Sequence, residues 1–119
     1  MEDKMIMISR QEEVDVVSFS SPSISNISDV DQIREEFREF IEQNAPKKVV
    51  VDFTGVKFFS SQMLGLLVDV WRRIKDEEGI VLISGIDPQL NRVFRITNLD
   101  KVFEFYPDKD SAVKAGMKS

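Results

Sequence analysis

Two short stretches hold the side chains that could do chemistry. Asp52 ends the β-branched run Lys48-Val49-Val50-Val51-Asp52-Phe53, and the C-terminal end of a buried strand is where open α/β sheets place functional groups. Ser60 and Ser61 come soon after, where a loop enters the stretch Gln62-Met63-Leu64-Gly65. If that stretch opens a helix, its unpaired backbone N–H groups favour an anion beside the two hydroxyls. Each candidate also has a plain structural role. A serine at a helix start is most often an N-cap, and a strand-end aspartate most often holds a neighbouring loop or helix terminus by hydrogen bonds.

The rest of the composition narrows the chemistry. The 119 residues include no Cys and no His. This excludes disulfides, thiolate nucleophiles and Cys-ligated metals, and it removes the commonest general base and metal ligand. A serine nucleophile has no His to activate it, and Lys57 is only an inferred neighbour. The composition therefore favours a binding or switch module over an enzyme, with no cofactor and no metal. The 16 basic and 21 acidic residues leave a net charge of −5. Lys47-Lys48 and Arg72-Arg73 are isolated basic pairs rather than a stripe, which argues against nucleic acid as a partner. No apolar run is long enough to enter a membrane, and the acidic opening Glu2-Asp3 precedes no apolar signal core, so a cytoplasmic protein is expected.

These residues need elements to position them. The apolar residues Met5 to Ile8 and then Val14, Val16, Val17 and Phe19, separated by polar residues 10–13, predict an antiparallel hairpin. A Ser-rich loop follows, and Asp29 is the expected N-cap of a helix carrying Val30, Ile33, Phe37, Phe40 and Ile41, ending near Asn44-Ala45-Pro46. Residues 48–53 predict a strand buried on both faces. A second helix is expected over about 61–78, stopped by Gly79, then a strand over 80–84. Asp87-Pro88 opens a third helix, residues 101–106 predict the last strand, and Pro107-Asp108 opens a fourth helix. The order β-β-α-β-α-β-α-β-α implies right-handed crossovers and one α/β domain over 1–119, core about 4–115. Its sheet is mixed, mostly parallel, with an N-terminal hairpin and about four helices.

Asp52 resembles the phospho-accepting Asp of response-regulator receivers, and Ser84, after the next strand, fits their switch hydroxyl. The acidic pair after the first strand and the Lys after the last strand that receivers need are missing here. A second resemblance covers nearly the whole chain. Val49-Val50-Val51-Asp52-Phe53-Thr54-Gly55-Val56-Lys57-Phe58, followed by Ser60-Ser61-Gln62-Met63-Leu64-Gly65-Leu66-Leu67, is similar to the signature of STAS domains, the anti-sigma factor antagonists and the cytoplasmic domains of sulfate transporters. Arg92-Val93-Phe94-Arg95-Ile96-Thr97-Asn98-Leu99-Asp100-Lys101-Val102-Phe103 resembles that family's third helix and last strand.

The resemblance implies a regulatory module that binds a serine-kinase-like anti-sigma factor and is released when the kinase phosphorylates it, with a serine phosphatase resetting the switch. Matched residue by residue, the phospho-acceptor falls on Ser61, with Ser60 as second choice. The family's Asp before the acceptor is Ser60 here, its following Ser/Thr and Gly are Gln62 and Met63, and its loop Asp before the first helix is Asn26. These departures imply the alternative of a STAS scaffold that is not phosphorylated, in a signalling or transporter-associated complex. A further reading, by analogy with other folds of this class, is a small-ligand site at the strand ends near Asp52 and Ser84. On the second helix, Leu64, Leu67, Val68, Trp71 and Ile74 form a core stripe. Met63, Leu66 and Val70 form a second apolar stripe, which makes a partner groove beside Ser61 if it is exposed and an inner face if a neighbouring element covers it. The expected partner-binding set is Asn26, Ser60, Gln62, Met63, Leu66 and Val70.

Overall fold

In the computed structural model, which describes residues 4–118, the alternating run at the start of the chain forms the expected hairpin. β1 (Ile6–Gln11) pairs antiparallel with β2 (Val14–Phe19), from Ile6↔Phe19 to Gln11↔Val14. Glu12 takes a left-handed conformation, φ 59°, in the two-residue turn. A short strand, β3 (Ser23–Ile24), leads into α1 (Ile27–Asn44). The helix starts earlier than Asp29: Asn26 is the cap, because its side chain accepts the Asp29 N–H. Asp29 lies instead in the first turn, where a carboxylate suits the positive end of the helix dipole.

The valine run is β4 (Lys48–Asp52), and Val49, Val50 and Val51 are each at most 1% exposed. A second short strand, β5 (Phe58–Phe59), precedes α2 (Ser61–Asp76). That helix ends two residues before Glu78, and the left-handed residue is Glu78 (φ 63°), not Gly79. Gly79 follows it, donating its N–H to Ile74 C=O at 2.8 Å. A Cβ there would stand 2.6 Å from Ile74 Cγ2 and 2.8 Å from Lys47 C=O, so the glycine is required by close approach rather than by its own φ. β6 (Ile80–Ser84) and α3 (Pro88–Ile96) come next, Asp87 capping α3 through the Gln89 N–H. The expected last strand is shorter: a 3-10 turn over Leu99–Lys101, entered by left-handed Asn98, leaves only β7 (Glu104–Tyr106). α4 (Lys109–Met117) completes the described chain.

The five main strands lie in the order β1-β2-β4-β6-β7, with every pair after the hairpin parallel. One face carries α1, α2 and α3 over a core that includes Val17, Val49, Val51, Ile83, Phe37 and Phe94. The other face carries Val14, Val16, Val50 and Leu82 under Ala112 and Val113 of α4. β3 and β5 pair with each other, outside the main sheet.

Candidate functional site

Right-handed crossovers start each helix at the C-terminal edge of the parallel strands, and this brings the beginnings of α1 and α2 to one end of the molecule. The β3–β5 pairing fixes their relation. Ser23 lies opposite Phe58 and Ile24 opposite Phe59, the Lys57 N–H donates to Pro22 C=O at 2.8 Å, and the Ser60 N–H donates to Ile24 C=O at 2.9 Å. The loop holding Asn26 and the entrance to α2 therefore form one unit. Sequence patterning missed it, because a two-residue strand is too short to show a period.

The two helix starts differ in chemistry. The Asn26 side-chain oxygen is engaged: Oδ1 accepts the Asp29 N–H at 2.8 Å and the Ser28 hydroxyl at 2.8 Å. Ser60 is the N-cap of α2 by backbone geometry, φ −77° and ψ 163°, but its side chain makes no capping bond. Its Oγ is shielded from solvent with no hydrogen-bond partner. Ser61 is the first helical residue, and both Ser61 and Gln62 are exposed. The Lys57 ammonium is paired with Asp87 at 3.5 Å, not held against Ser61 as a base.

The second apolar stripe of α2 is not an exposed face. Met63 is 0%, Leu66 1% and Val70 5% exposed, because α2 packs against the sheet on one side and against α1 on another. Leu66 and Val70, with Phe37 and Ile41 of α1, line the floor of a groove of about 290 Å³ between the two helices. What α2 shows to solvent is Ser61, Gln62, Gly65, Asp69, Arg72, Arg73, Lys75 and Asp76. Exposed Ile27 and Phe58 flank the same end, and no periodicity marked them in advance.

Asp52 and Ser84 come together, in a structural role. Asp52 Oδ1 accepts the Ser84 hydroxyl at 2.9 Å, the Thr54 hydroxyl at 2.8 Å and the Thr54 N–H at 3.4 Å. Both residues are buried. Gly85 closes over them with φ +64°, and a Cβ there would lie 2.2 Å from Thr54 Oγ1 and 2.8 Å from Asp52 Oδ1. Asp52 Oδ1 is thus occupied in tying β4 to β6 and to the Thr54 turn. Among the described residues no cluster of acidic side chains could hold a metal ion, and no helix is long and apolar enough to cross a membrane.

Comparison with known proteins agrees with this geometry. The profile of the STAS domain matches residues 5–112. The structure of an anti-sigma-factor antagonist (STAS) domain protein from Planctomyces limnophilus superposes with a TM-score of 0.87 at 30% identity, covering 94% of this chain and 97% of that one. The Bacillus cell fate determinant SpoIIAA, solved in its phosphorylated form, shares the fold with a TM-score of 0.70 at 18% identity over 92% and 98% of the two chains. An anti-sigma F factor antagonist of Paenibacillus polymyxa is 20% identical over 83 residues, 70% of this chain and 71% of that protein. With its mixed five-stranded sheet, four helices and joined helix starts, the chain belongs to the STAS domain family.

Proposed function

We propose that the protein is an anti-sigma factor antagonist whose partner docks over the joined starts of α1 and α2 and phosphorylates Ser61. The observation that carries this reading is the placement of Ser61: an exposed hydroxyl on the first residue of α2, beside exposed Gln62 and the Asn26 loop. A kinase needs an accessible hydroxyl, and a binding switch needs that hydroxyl inside the contact surface. The exposure of Ser61 meets the first condition, and its place beside Gln62 and the Asn26 loop supports the second. In support, a protein of the same fold has been solved in a phosphorylated form.

Charge explains how the switch acts. A phosphate brings about −1.5 to −2 charge at neutral pH. At the start of α2 the free N–H groups and the helix dipole accept it, a gain of about 0.3–1 kcal/mol. The domain stays folded, while a partner surface must now bury a dianion. Binding ends there. The partner is a serine-kinase-like anti-sigma factor that supplies the ATP, and a serine phosphatase restores the free hydroxyl. The protein itself performs no catalysis, and it works in the cytoplasm without nucleic acid or membrane contact.

Incubation with the cognate kinase and ATP is expected to add one phosphate, located at Ser61 by peptide mass analysis. Equal labelling of the folded Ser61→Ala variant sinks the assignment, and labelling at Ser60 moves it by one residue. A second reading, a STAS scaffold that is never phosphorylated, is favoured by one observation: the shielded Ser60 hydroxyl and the engaged Asn26 amide put no carboxylate beside Ser61. Partner binding unchanged by Ser61→Glu would select it.

A further inference from the structure

The groove between α1 and α2 has an apolar floor and a rim of guanidinium groups. Four of the chain's seven arginines, Arg34, Arg38, Arg72 and Arg73, line it, on a protein whose net charge is −5. Asp69 is the one acidic residue of that lining. Arg34 gives a nitrogen to Asp69 at 3.0 Å, and Arg38 is held by Glu35 and Glu42. Arg73 stands 3.6 Å from Glu42, beyond hydrogen-bond reach. Arg72 has no ion pair or hydrogen bond among the described residues. Even with Glu35 and Glu42 counted, the guanidinium groups exceed the carboxylates by one.

Two ion pairs join the helices across the groove: Arg34 of α1 with Asp69 of α2, and Glu42 of α1 with Arg73 of α2. Their side chains are 44% to 56% exposed, whereas Phe37, Ile41, Leu66 and Val70 are at most 9% exposed. The bridges therefore stand on the solvent side of the floor. The second bridge borders a further hollow of about 250 Å³, which shares Ile41 and Arg73 with the first and continues over Ala45, Pro46 and Ile74 to Glu77. A helix, about 10–12 Å across, has to break both bridges to reach the floor. An unbranched hydrocarbon chain is far slimmer, and the exposed pair at 3.6 Å costs little to part. The bridged shape favours a slim chain, and the rim favours an anion.

We propose that this groove binds a free medium-chain carboxylate, its head on Arg72 and its tail over Ile41 and Val70 toward Pro46 and Ile74. A carboxylate matches the planar fork of a guanidinium with two parallel hydrogen bonds, and Arg72 has its whole fork unspent. The head belongs at the Arg72 end because Glu77 faces the other hollow. One monoanion also balances the one uncompensated charge of the rim. The groove lies at the small end of the range for ligand pockets, about 300 Å³, which suits a ligand of a dozen heavy atoms. So small a ligand binds weakly, with a Kd of about 1 mM. The site is separate from Ser61: Arg72 lies eleven residues beyond it, about 16 Å along α2.

The test titrates decanoate into the full chain and follows amide, methyl and guanidinium signals by NMR. Saturable shifts are expected at the Ile41, Leu66, Val70 and Ile74 methyls and at the Arg72 side chain. Decanol has the same tail without the charge and is expected to bind about tenfold more weakly. Decyltrimethylammonium, repelled by the rim, is expected to leave these signals in place. Arg72→Gln weakens decanoate about tenfold with decanol unchanged, and Arg72→Glu abolishes decanoate binding. Arg72 is exposed, so both variants keep the parent melting temperature. The proposal is overturned by groove signals that stay still at several millimolar decanoate, by equal binding of decanol or the ammonium, or by unchanged decanoate affinity in the Arg72 variants. Shifts confined to the strand ends around Ser84 overturn it too, as do groove shifts produced only by an acidic helical peptide.

Discussion

Ser60 donates its backbone N–H to the Ile24 carbonyl at 2.9 Å, so the residue that begins α2 is bonded to the loop that begins α1. The two caps are joined but chemically unequal. Asn26 accepts the Asp29 N–H, while the Ser60 hydroxyl bonds nothing and is hidden from water. Asn26→Ala is therefore expected to cost about 1 kcal/mol, as cap removal usually does. Ser60→Ala is expected to be neutral or stabilising, because it removes a desolvated hydroxyl without breaking a bond. Urea denaturation of the two variants checks the contrast. A loss at Ser60 equal to that at Asn26 means the hydroxyl caps α2 after all.

Ser61→Glu tests the separation of stability from binding. A carboxylate on the first residue of α2 meets the positive end of the helix dipole, and it is expected to leave the melting temperature unchanged or slightly raised, within about 1 kcal/mol. Partner affinity is expected to fall in the same variant. Unfolding at lower temperature would show instead that the switch works by loosening α2.

Gly65 stands one helical turn beyond Ser61, exposed, and nothing lies within 4 Å of where its Cβ would be. Glycine in a helix interior costs about 1 kcal/mol relative to alanine, and the free fold shows no steric reason to accept that cost. Gly65→Ala is expected to stabilise the isolated domain by about that amount and to weaken partner binding, where a partner backbone comes close to α2. Greater stability with unchanged affinity places the partner elsewhere.

The sequence made some of this architecture legible and hid the rest for identifiable reasons. Val49 to Val51, flanked by turn residues, announced a central strand, and Asp87-Pro88 announced a capped helix, because each signal is local. The joining of Ile24 to Phe59 was invisible, since two short segments far apart in the chain share no pattern. Ser61 and Gln62 were found through family likeness and proved exposed. Met63, Leu66 and Val70 were misplaced in the outward-facing reading because periodicity shows that a helix has two apolar sides, not what covers the second. α1 covers it.

Asp52 can be tested apart from any switch. It accepts the Ser84 and Thr54 hydroxyls, both on one oxygen, so Asp52→Ala leaves two donors short of a partner near the core. The expected loss is about 2 kcal/mol or more. Gly85→Ala should be worse, since a Cβ at φ +64° meets Thr54 Oγ1 at 2.2 Å. Thermal denaturation ranks the two. Small effects from both would reopen the strand ends as a ligand site.

The last prediction concerns pH and the opposite face of the sheet. Asp108 caps α4, accepting the Ser111 N–H at 2.8 Å. The backbone and side-chain hydrogen bonds from Ser111, aided by the Lys114 charge, hold its carboxyl below the ordinary value of 3.8. A carboxyl with a depressed folded-state pKa stabilises the fold above its unfolded pKa and loses that contribution as pH falls through the folded one. Among the described helices, α4 supplies the residues that cover Val14, Val16, Val50 and Leu82, so fraying at Asp108 uncovers that second core. Asp108→Asn keeps an acceptor oxygen and removes only the charge. The parent is expected to be more stable than Asp108→Asn near pH 7, with the gap closing as pH falls below the ordinary carboxyl value of 3.8 and Asp108 is protonated. Urea midpoints across that range decide it: a gap that stays constant with pH assigns the cap to hydrogen bonding alone, and a gap that widens on acidification contradicts the depressed pKa.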